Sequence, residues 1–353
     1  MSDRSQPLVS IILVIHNGMQ FLPENLKAIF EEADADCEII VFDNHSTDSS
    51  VEYILKNFPS VKIITSESNL GFATGCNLAS MAAQGTFLVF LNQDVIGYEG
   101  WLTELINGFE DPKIGLTTSK IVILGQDNTI NSCGLDIHYT GLSFTRCFGQ
   151  NDGCFHQQNV SAVNGASFAI SNKLWRQLGG FDTDFFMYFE ETDLSWRAQQ
   201  LGYYCLFVPS SVIAHNYSRE KSLNCLYFSE RNRKFMILKN YHLITIILIL
   251  PALILSEVLQ WLNMSTRGWK AIFSKLRADL WILRNIKTIL MERKIQSSKG
   301  IIRDYEILAQ RSYQIDVLEK RQTRFVQLAL PIVNLFYRLI YFSTIAVLKS
   351  LKT

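Results

Sequence analysis

The sequence predicts an α/β fold, a mainly parallel sheet flanked by helices, followed by a C-terminal helical region that associates with a membrane. Three observations carry this expectation. Four continuous apolar runs, VSIILVI (9–15), CEIIVFD (37–43), VKIIT (61–65) and GTFLVFLN (85–92), have the length and β-branched content of strands buried on both faces. Helix-like segments near 20–32, 47–57 and 73–83 alternate with them, and a βαβαβαβ order favours parallel pairing. Beyond about residue 218 the composition shifts to long apolar stretches with basic flanks.

Between about 112 and 170 the pattern is less regular, with Gly and Asn turns separating short β-like pieces. VNGASFAIS (163–171) reads as a strand, and 171–180 as a short helix stopped at Gly179-Gly180. FEETDLSWR (189–197) opens another helix, and YYCLFVPSSVIAHNYS a strand and loop with His215 at the strand's end. No internal repeat is evident.

The 353 residues suffice for a large domain and an appendage, and 48% hydrophobic content allows a substantial core. Zero net charge conceals a split. Residues 1–215 hold 10 Lys and Arg against 24 Asp and Glu, and the remainder holds 23 against 9. A basic half rich in apolar runs suits an anionic membrane surface better than nucleic acid, for which no recognition motif is present. The opening MSDRSQPLVSIILVIHN has no small-residue cleavage site, so no secretory signal is expected. Seven scattered cysteines, among them Cys154, without a CxxC pair suggest neither a zinc knuckle nor a disulfide framework, and fit a reducing, cytoplasmic compartment.

In the C-terminal region, 240–256 is a stretch of 17 residues without Lys, Arg, Asp or Glu, at the lower limit for a bilayer span and interrupted by Pro251. Residues 267–303 carry ten basic side chains against two acids, and 325–348 is again apolar, broken by Pro331 and Arg338. Helices lying in or dipping into a membrane interface are expected. Helices packed on the catalytic part, or buried in a homo-oligomer, are the alternatives.

In parallel sheets, ligands bind outside the carboxyl ends of the strands. Three of the four runs end there in polar groups: His16-Asn17, Asp43-Asn44 and Asn92-Gln93-Asp94. A carboxylate such as Asp43 can accept hydrogen bonds from a nucleobase or ribose, or simply close a turn. NLGFATGCN (69–77) opens a helix with Gly71, where backbone N–H groups could approach a phosphate, but it is neither a dinucleotide fingerprint nor a P-loop. Asp94 could hold Mg²⁺ or Mn²⁺ with phosphate oxygens completing the shell. In FEETDLSWR, acids in a first helical turn complement the helix dipole. Asp193 and Arg197 stand at i,i+4, where pairing explains them best.

Taken together, VSIILVIHN, VFDNHSTDSS, NLGFATGCN, FLNQDV, VNGASFAIS, LGGFDTDFFMYFEETDLSWR and AHNYS resemble, in order, the motifs of family 2 glycosyltransferases over residues 8–240. The likeness is greatest to rhamnosyltransferase-type enzymes of bacterial surface-polysaccharide assembly. It implies a GT-A fold, a nucleotide-sugar donor, a divalent metal and inversion at the anomeric carbon. Residues 1–239 would form the catalytic domain, with a donor half at about 8–110 and an acceptor and base half at about 111–239. Residues 240–353 would form the membrane-associated region. The resemblance assigns His16, Asn17, Asp43, Asn44, Gly71, Asn77, Asn92, Gln93 and Asp94 to the donor, and Asp94 with His215 to the metal. Gly165 and Tyr188 fall on the acceptor side, and Glu190-Glu191 match the acidic pair that supplies the base, with Glu191 ranked first. Two departures stand out. The DxD-like motif is Asn92-Gln93-Asp94, so its first carboxylate is missing, and the base position holds Glu where relatives have Asp.

An inverting transfer is one displacement: an acceptor hydroxyl attacks the anomeric carbon opposite the leaving nucleoside diphosphate, and a carboxylate takes its proton. Two clustered carboxylates raise one another's pKa, which suits a base near neutral pH. The aromatics of DFFMYF (184–189) serve either as a platform for sugar rings or as core. The expected function is transfer of rhamnose from dTDP-rhamnose to a lipid-linked saccharide at the cytoplasmic face of the cell membrane. The rivals are another hexose from a UDP- or GDP-donor, a silent nucleotide-sugar-binding assembly protein, and a nucleotidyltransferase.

Overall fold

A computed structural model describes residues 8–33, 36–153, 155–217, 223–315 and 324–351. Cys154 and Ser218, the last residue of AHNYS, lie outside the described residues, as does the polar stub before Leu8. The chain divides into two compact units: Met1–Leu135 with Thr145–Ala198 and Tyr203–Ser218, and Asp136–Phe144 with Gln199–Gly202 and Arg219–Thr353.

The first half follows the expected alternation: β1 (Val9–Ile15), α1 (Leu22–Glu32), β2 (Cys37–Asp43), α2 (Ser50–Asn57), β3 (Lys62–Thr65), α3 (Phe72–Met81) and β4 (Phe87–Asn92). Then come β5 (Val95–Gly97), α4 (Trp101–Asn107), β6 (Ile114–Ile123), β7 (Gln126–Ser132), β8 (Leu135–Ile137), β9 (Ser143–Thr145) and β10 (Gln158–Val160). The first unit closes with β11 (Ser167–Ser171), α5 (Asn172–Leu178), α6 (Glu190–Gln200) and β12 (Tyr204–His215). The main sheet has the order β10-β12-β6-β11-β4-β1-β2-β3, with β5 on β12 and β7 on β6. β3, β2, β1 and β4 are parallel neighbours, as the alternation requires. Beyond them the sheet is mixed, because β11 runs antiparallel between β4 and β6. The loop entering β11 therefore lies at the carboxyl end of β4, where Asn92 N–H donates to the Ala166 carbonyl at 3.1 Å.

Side-chain parity divides the core. Val9, Ile11, Leu13 and Ile15 of β1 join Leu22 and Leu26 of α1, Ile54 of α2, and Trp101 and Leu105 of α4 in one buried cluster. Val14 of β1 and Phe42 of β2 meet α3, where Gly75 lets the helix close in, since a Cβ there would lie 2.9 Å from Val14 and 3.0 Å from Phe42. Phe90 stacks on Phe168 at 4.8 Å and meets Trp175 at 4.6 Å, which fastens α5 to the same sheet. Burying each such side chain contributes about 1.5–3 kcal/mol. α5 begins at Ser171, whose hydroxyl caps Leu174 N–H, and ends at Gly179 in the left-handed region, as its glycines foretold.

The second unit contains α7 (Leu223–Asn240), α8 (Leu243–Thr266), α9 (Trp269–Lys299), α10 (Asp304–Ala309) and α11 (Arg324–Leu351). Pro251 and Pro331 do not break their helices: α8 and α11 run through them. A mid-helix proline forfeits a hydrogen bond and costs about 3 kcal/mol, which the rest of a long packed helix can offset. Buried ion pairs hold α7, α8 and α9 together. Lys275 Nζ lies 2.6 Å from Glu230 and 2.9 Å from Glu257, Glu257 also pairs with Arg233, and Lys234 pairs with Asp279. The expected basic flank is thus partly internal, since Lys275 and Arg293 are buried. α8 and the Ala329–Leu351 part of α11 are long and apolar enough to cross a membrane by length and composition.

Candidate active site

Three strand ends and the first turn of α6 converge on the carboxyl edge of the first unit. β1 ends at Ile15, β2 at Asp43 and β4 at Asn92, and the loops beyond are stitched by side-chain amides. Asn17, at φ +50°, accepts from Thr47 N–H at 2.8 Å. His16 Nδ1 lies 3.0 Å from the Asn44 carbonyl oxygen. Asn44, buried, donates to Asn69 Oδ1 at 3.0 Å and accepts from Leu70 N–H at 2.7 Å. Asp43 is also buried, and both its oxygens receive the Ser46 N–H, at 3.2 and 3.3 Å.

Two residues expected at the donor also hold main chain. Gln93 clasps the His16 backbone, accepting from its N–H at 2.9 Å and donating to its carbonyl at 3.3 Å. Asn77 clasps Phe181 in the same way, at 2.8 and 2.9 Å. An amide that uses both its donor and its acceptor on main chain holds a loop, and neither interaction was legible locally, because the Asn77 partner lies 104 residues away. Asn92 and Asp94 remain at the edge, each partly exposed.

β12 returns to this edge beside β5, so His215 pairs with Val95, next to Asp94. Asp94 Oδ2 and His215 Nε2 are 3.4 Å apart. The other ring nitrogen, Nδ1, lies 3.1 Å from Asn131 Oδ1 on β7. Because that oxygen only accepts, a proton on Nδ1 satisfies this contact, and in that tautomer Nε2 is the ring nitrogen left to act as a ligand on the Asp94 side. An imidazole nitrogen and a carboxylate oxygen at this separation can share a divalent cation or, with the ring protonated, form an ion pair. An octahedral Mg²⁺ or Mn²⁺ separates adjacent ligand atoms by about 3 Å, so the pair fits one. Among the described residues no cluster of three His, Cys, Asp or Glu side chains is present, so the remaining shell would come from water and a diphosphate. Asn131 was missed by sequence reasoning, and its 84-residue distance from His215 left no local signal. Asn25 of α1 was missed too: its amide donates to the Val95 carbonyl at 2.7 Å and steadies the Asp94 turn.

α6 presents its two glutamates differently. Glu190 is buried, 5% exposed, with Oε2 unpartnered, and burial followed by the neighbouring Glu191 charge pushes its carboxyl well above the usual range. Glu191 is half-buried, and its carboxyl faces Gly165, where a Cβ would come within 3.8 Å of Oε2. Burial pushes Glu191 up to about 7. Of the two, Glu191 is the group next to the loop at the end of β4, with a pKa suited to accepting a proton near neutrality. Asp193 and Arg197 pair at 2.6 Å as their spacing predicted, and the guanidinium also donates to the Leu178 and Gly180 carbonyls.

The segment before α6 is strained. Phe186, Tyr188 and Phe189 have φ of +62°, +67° and +73°, a region side chains rarely adopt. Phe186 is held over Gly71: its carbonyl accepts from Ala73 N–H at 3.1 Å, and a Cβ on Gly71 would lie 2.5 Å from its ring. Of the aromatics, Phe185 is core and Tyr188 is exposed.

The sheet order and carboxyl-edge site define a GT-A fold. Residues 10–179 match the family model described as glycosyl transferase family 2. The matched stretch, a little under half of the chain, is similar to that family. An uncharacterized glycosyltransferase of Haemophilus influenzae is 31% identical over 107 residues, 30% of this chain and 33% of that protein. An N-acetylglucosaminyl-diphospho-decaprenol L-rhamnosyltransferase of Mycobacterium tuberculosis is 21% identical over 237 residues, 59% of this chain and 76% of that one. The structure of GalNAc-T7 with UDP, GalNAc and Mn²⁺ superimposes with a TM-score of 0.57 at 19% identity, over 68% of this chain and 49% of that one. The match thus spans about a third of the first relative and half of the solved structure.

Proposed function

We propose that the protein is an inverting glycosyltransferase that moves rhamnose from dTDP-rhamnose to a hydroxyl of a lipid-linked saccharide at the cytoplasmic face of a membrane. The observation that carries this reading is the meeting, at one sheet edge, of an acid–imidazole pair with a near-neutral carboxylate. Asp94 and His215 would hold Mg²⁺ or Mn²⁺, which offsets the charge gained by a leaving diphosphate. Asp43, Asn44, His16, Asn17, Asn92 and the Gly71 backbone would line the donor, while Gln93 and Asn77 act by holding its loops. Glu191 would accept the acceptor hydroxyl proton, with Gly165 leaving room beside it and exposed Tyr188 offering a face to a sugar ring. Glu190, kept protonated by burial beside the Glu191 charge, would not compete for the proton, while burial itself keeps Glu191 high. Rhamnose and the lipid-linked acceptor draw support from the decaprenol-linked rhamnosyltransferase relative, and a UDP-hexose donor from the UDP-bound structural neighbour. The apolar helices α8 and α11 support membrane association of the C-terminal region.

The test is a donor screen with purified protein in detergent, lipid extract as acceptor, and nucleoside diphosphate release as readout. dTDP-rhamnose, UDP-glucose, UDP-galactose, UDP-N-acetylglucosamine and GDP-mannose are each supplied with Mn²⁺ or Mg²⁺. Release from dTDP-rhamnose alone, lost in Glu191→Gln, is expected. Release from a UDP- or GDP-sugar instead would replace the donor, and release of pyrophosphate would replace the reaction. Donor binding without release from any sugar would leave a binding protein.

A further inference from the structure

We propose that one face of α9 is an in-plane docking surface for an anionic phospholipid bilayer; this rests on the membrane association proposed above and names its lipid class. α9 is 31 residues long, about 46 Å at 1.5 Å per residue, yet it is too rich in charge to be a span. Trp269, Phe273, Leu276, Leu280, Leu283 and Met291 are all exposed, and at 3.6 residues per turn they fall within an arc of about 80°. Trp269, Leu283 and Met291 are 72%, 68% and 67% exposed, so none of the described residues covers this stripe.

The charges on the same helix decide the occupant. Lys270, Arg277, Arg284, Lys287 and Lys294 are exposed on or beside the apolar arc. The two acids of α9, Asp279 and Glu292, are not exposed, and Asp279 is paired with Lys234 of α7. Every exposed charge on α9 is therefore basic. A stripe that alternates large apolar groups with cations suits the boundary of a bilayer, where apolar side chains enter the acyl region and ammonium or guanidinium groups meet phosphate. A nucleic-acid surface would not require the bare Leu and Met.

α8 supports the same orientation. Leu243, Ile247, Leu250, Ile254, Val258 and Leu262 form an exposed row along it. Its opposite side is committed to protein: Thr245 bonds to Asp304, and Ser256 lies 2.8 Å from the Tyr337 hydroxyl. A helix with a polar, satisfied side and a bare apolar side is built to lie along an interface.

The experiment is vesicle co-sedimentation of the full chain, on phosphatidylcholine alone and with one-third phosphatidylglycerol. Parent protein is compared with the triple variant Arg284→Glu, Lys287→Glu, Lys294→Glu. At roughly fivefold per cation near a charged surface, the anionic vesicles should hold the parent at least about tenfold better, salt should weaken this, and the triple variant should lose it. Brominated lipid should quench the parent, and less so Trp269→Phe. Circular dichroism and nucleoside diphosphate release in detergent verify that the triple variant is folded; should it be misfolded, the salt dependence and the Trp269 quenching decide. Equal binding of parent and triple variant to both vesicles would overturn the lipid class and leave membrane association standing. Binding to neither would overturn both. Charge-dependent capture of RNA homopolymer with none on vesicles would make the stripe a nucleic-acid surface and overturn the proposal.

Discussion

Asp94 Oδ2 and His215 Nε2 stand 3.4 Å apart, brought together by β5 pairing with the end of β12. The far nitrogen of that imidazole is held by Asn131. If the pair binds a divalent cation, Asp94→Ala and His215→Ala should each raise the Mn²⁺ concentration for half-maximal activity. Asn131→Leu should raise it about 10–100-fold by releasing the ring. Metal titrations monitored by donor turnover check this. An unchanged midpoint in all three variants would move the metal elsewhere.

The glutamates should separate cleanly. Glu191→Gln should lower turnover about 10²–10⁴-fold while donor binding by calorimetry persists. Glu190→Gln replaces a neutral buried acid with an amide of the same shape and should stay within about tenfold of the parent. Equal losses in both would mean that the two act as one unit.

Activity should rise about tenfold per pH unit on the acid side and level off near 7, where the Glu191 carboxyl ionises. This acid limb should vanish from the residual activity of Glu191→Gln.

The same burial has a stability consequence. With folded-state pKa values raised above those of the unfolded chain, the native protein binds more protons, so stability falls as pH climbs from about 4.5 through the folded values. Glu190→Gln removes that penalty, and its melting temperature should exceed the parent's by more at pH 8 than at pH 4. A constant difference would mean that Glu190 ionises as freely when folded as when unfolded.

Asp193 and Arg197 are both buried, and Asp193→Asn would leave the guanidinium without its counter-charge. A loss of about 3–5 kcal/mol in denaturant unfolding is expected. Asn77→Ala should cost about 1–3 kcal/mol in the same unfolding measurement, since its partners are the Phe181 main-chain groups.

What could be read along the chain was what neighbouring residues dictate. β1 and β2 fall where continuous apolar runs placed them, α5 stops at its glycine, and Asp193 meets Arg197 one helical turn away. Period and spacing report contacts within about four residues, and these needed nothing more. The resemblance in motif order added His215 and Asp94 as a pair, but neither their separation nor the ring's support followed from it. Those depended on strand order. β11 enters antiparallel, carrying Gly165 to the end of β4, and β7 brings Asn131 to His215 across 84 residues. Burial was also a product of the fold. Glu190 and Glu191 are adjacent and chemically alike, yet one turns inward with an unpartnered oxygen while the other faces the loop of Gly165. The low dielectric of a packed interior and the path of distant strands distinguish them, and neither is a property of nine consecutive residues.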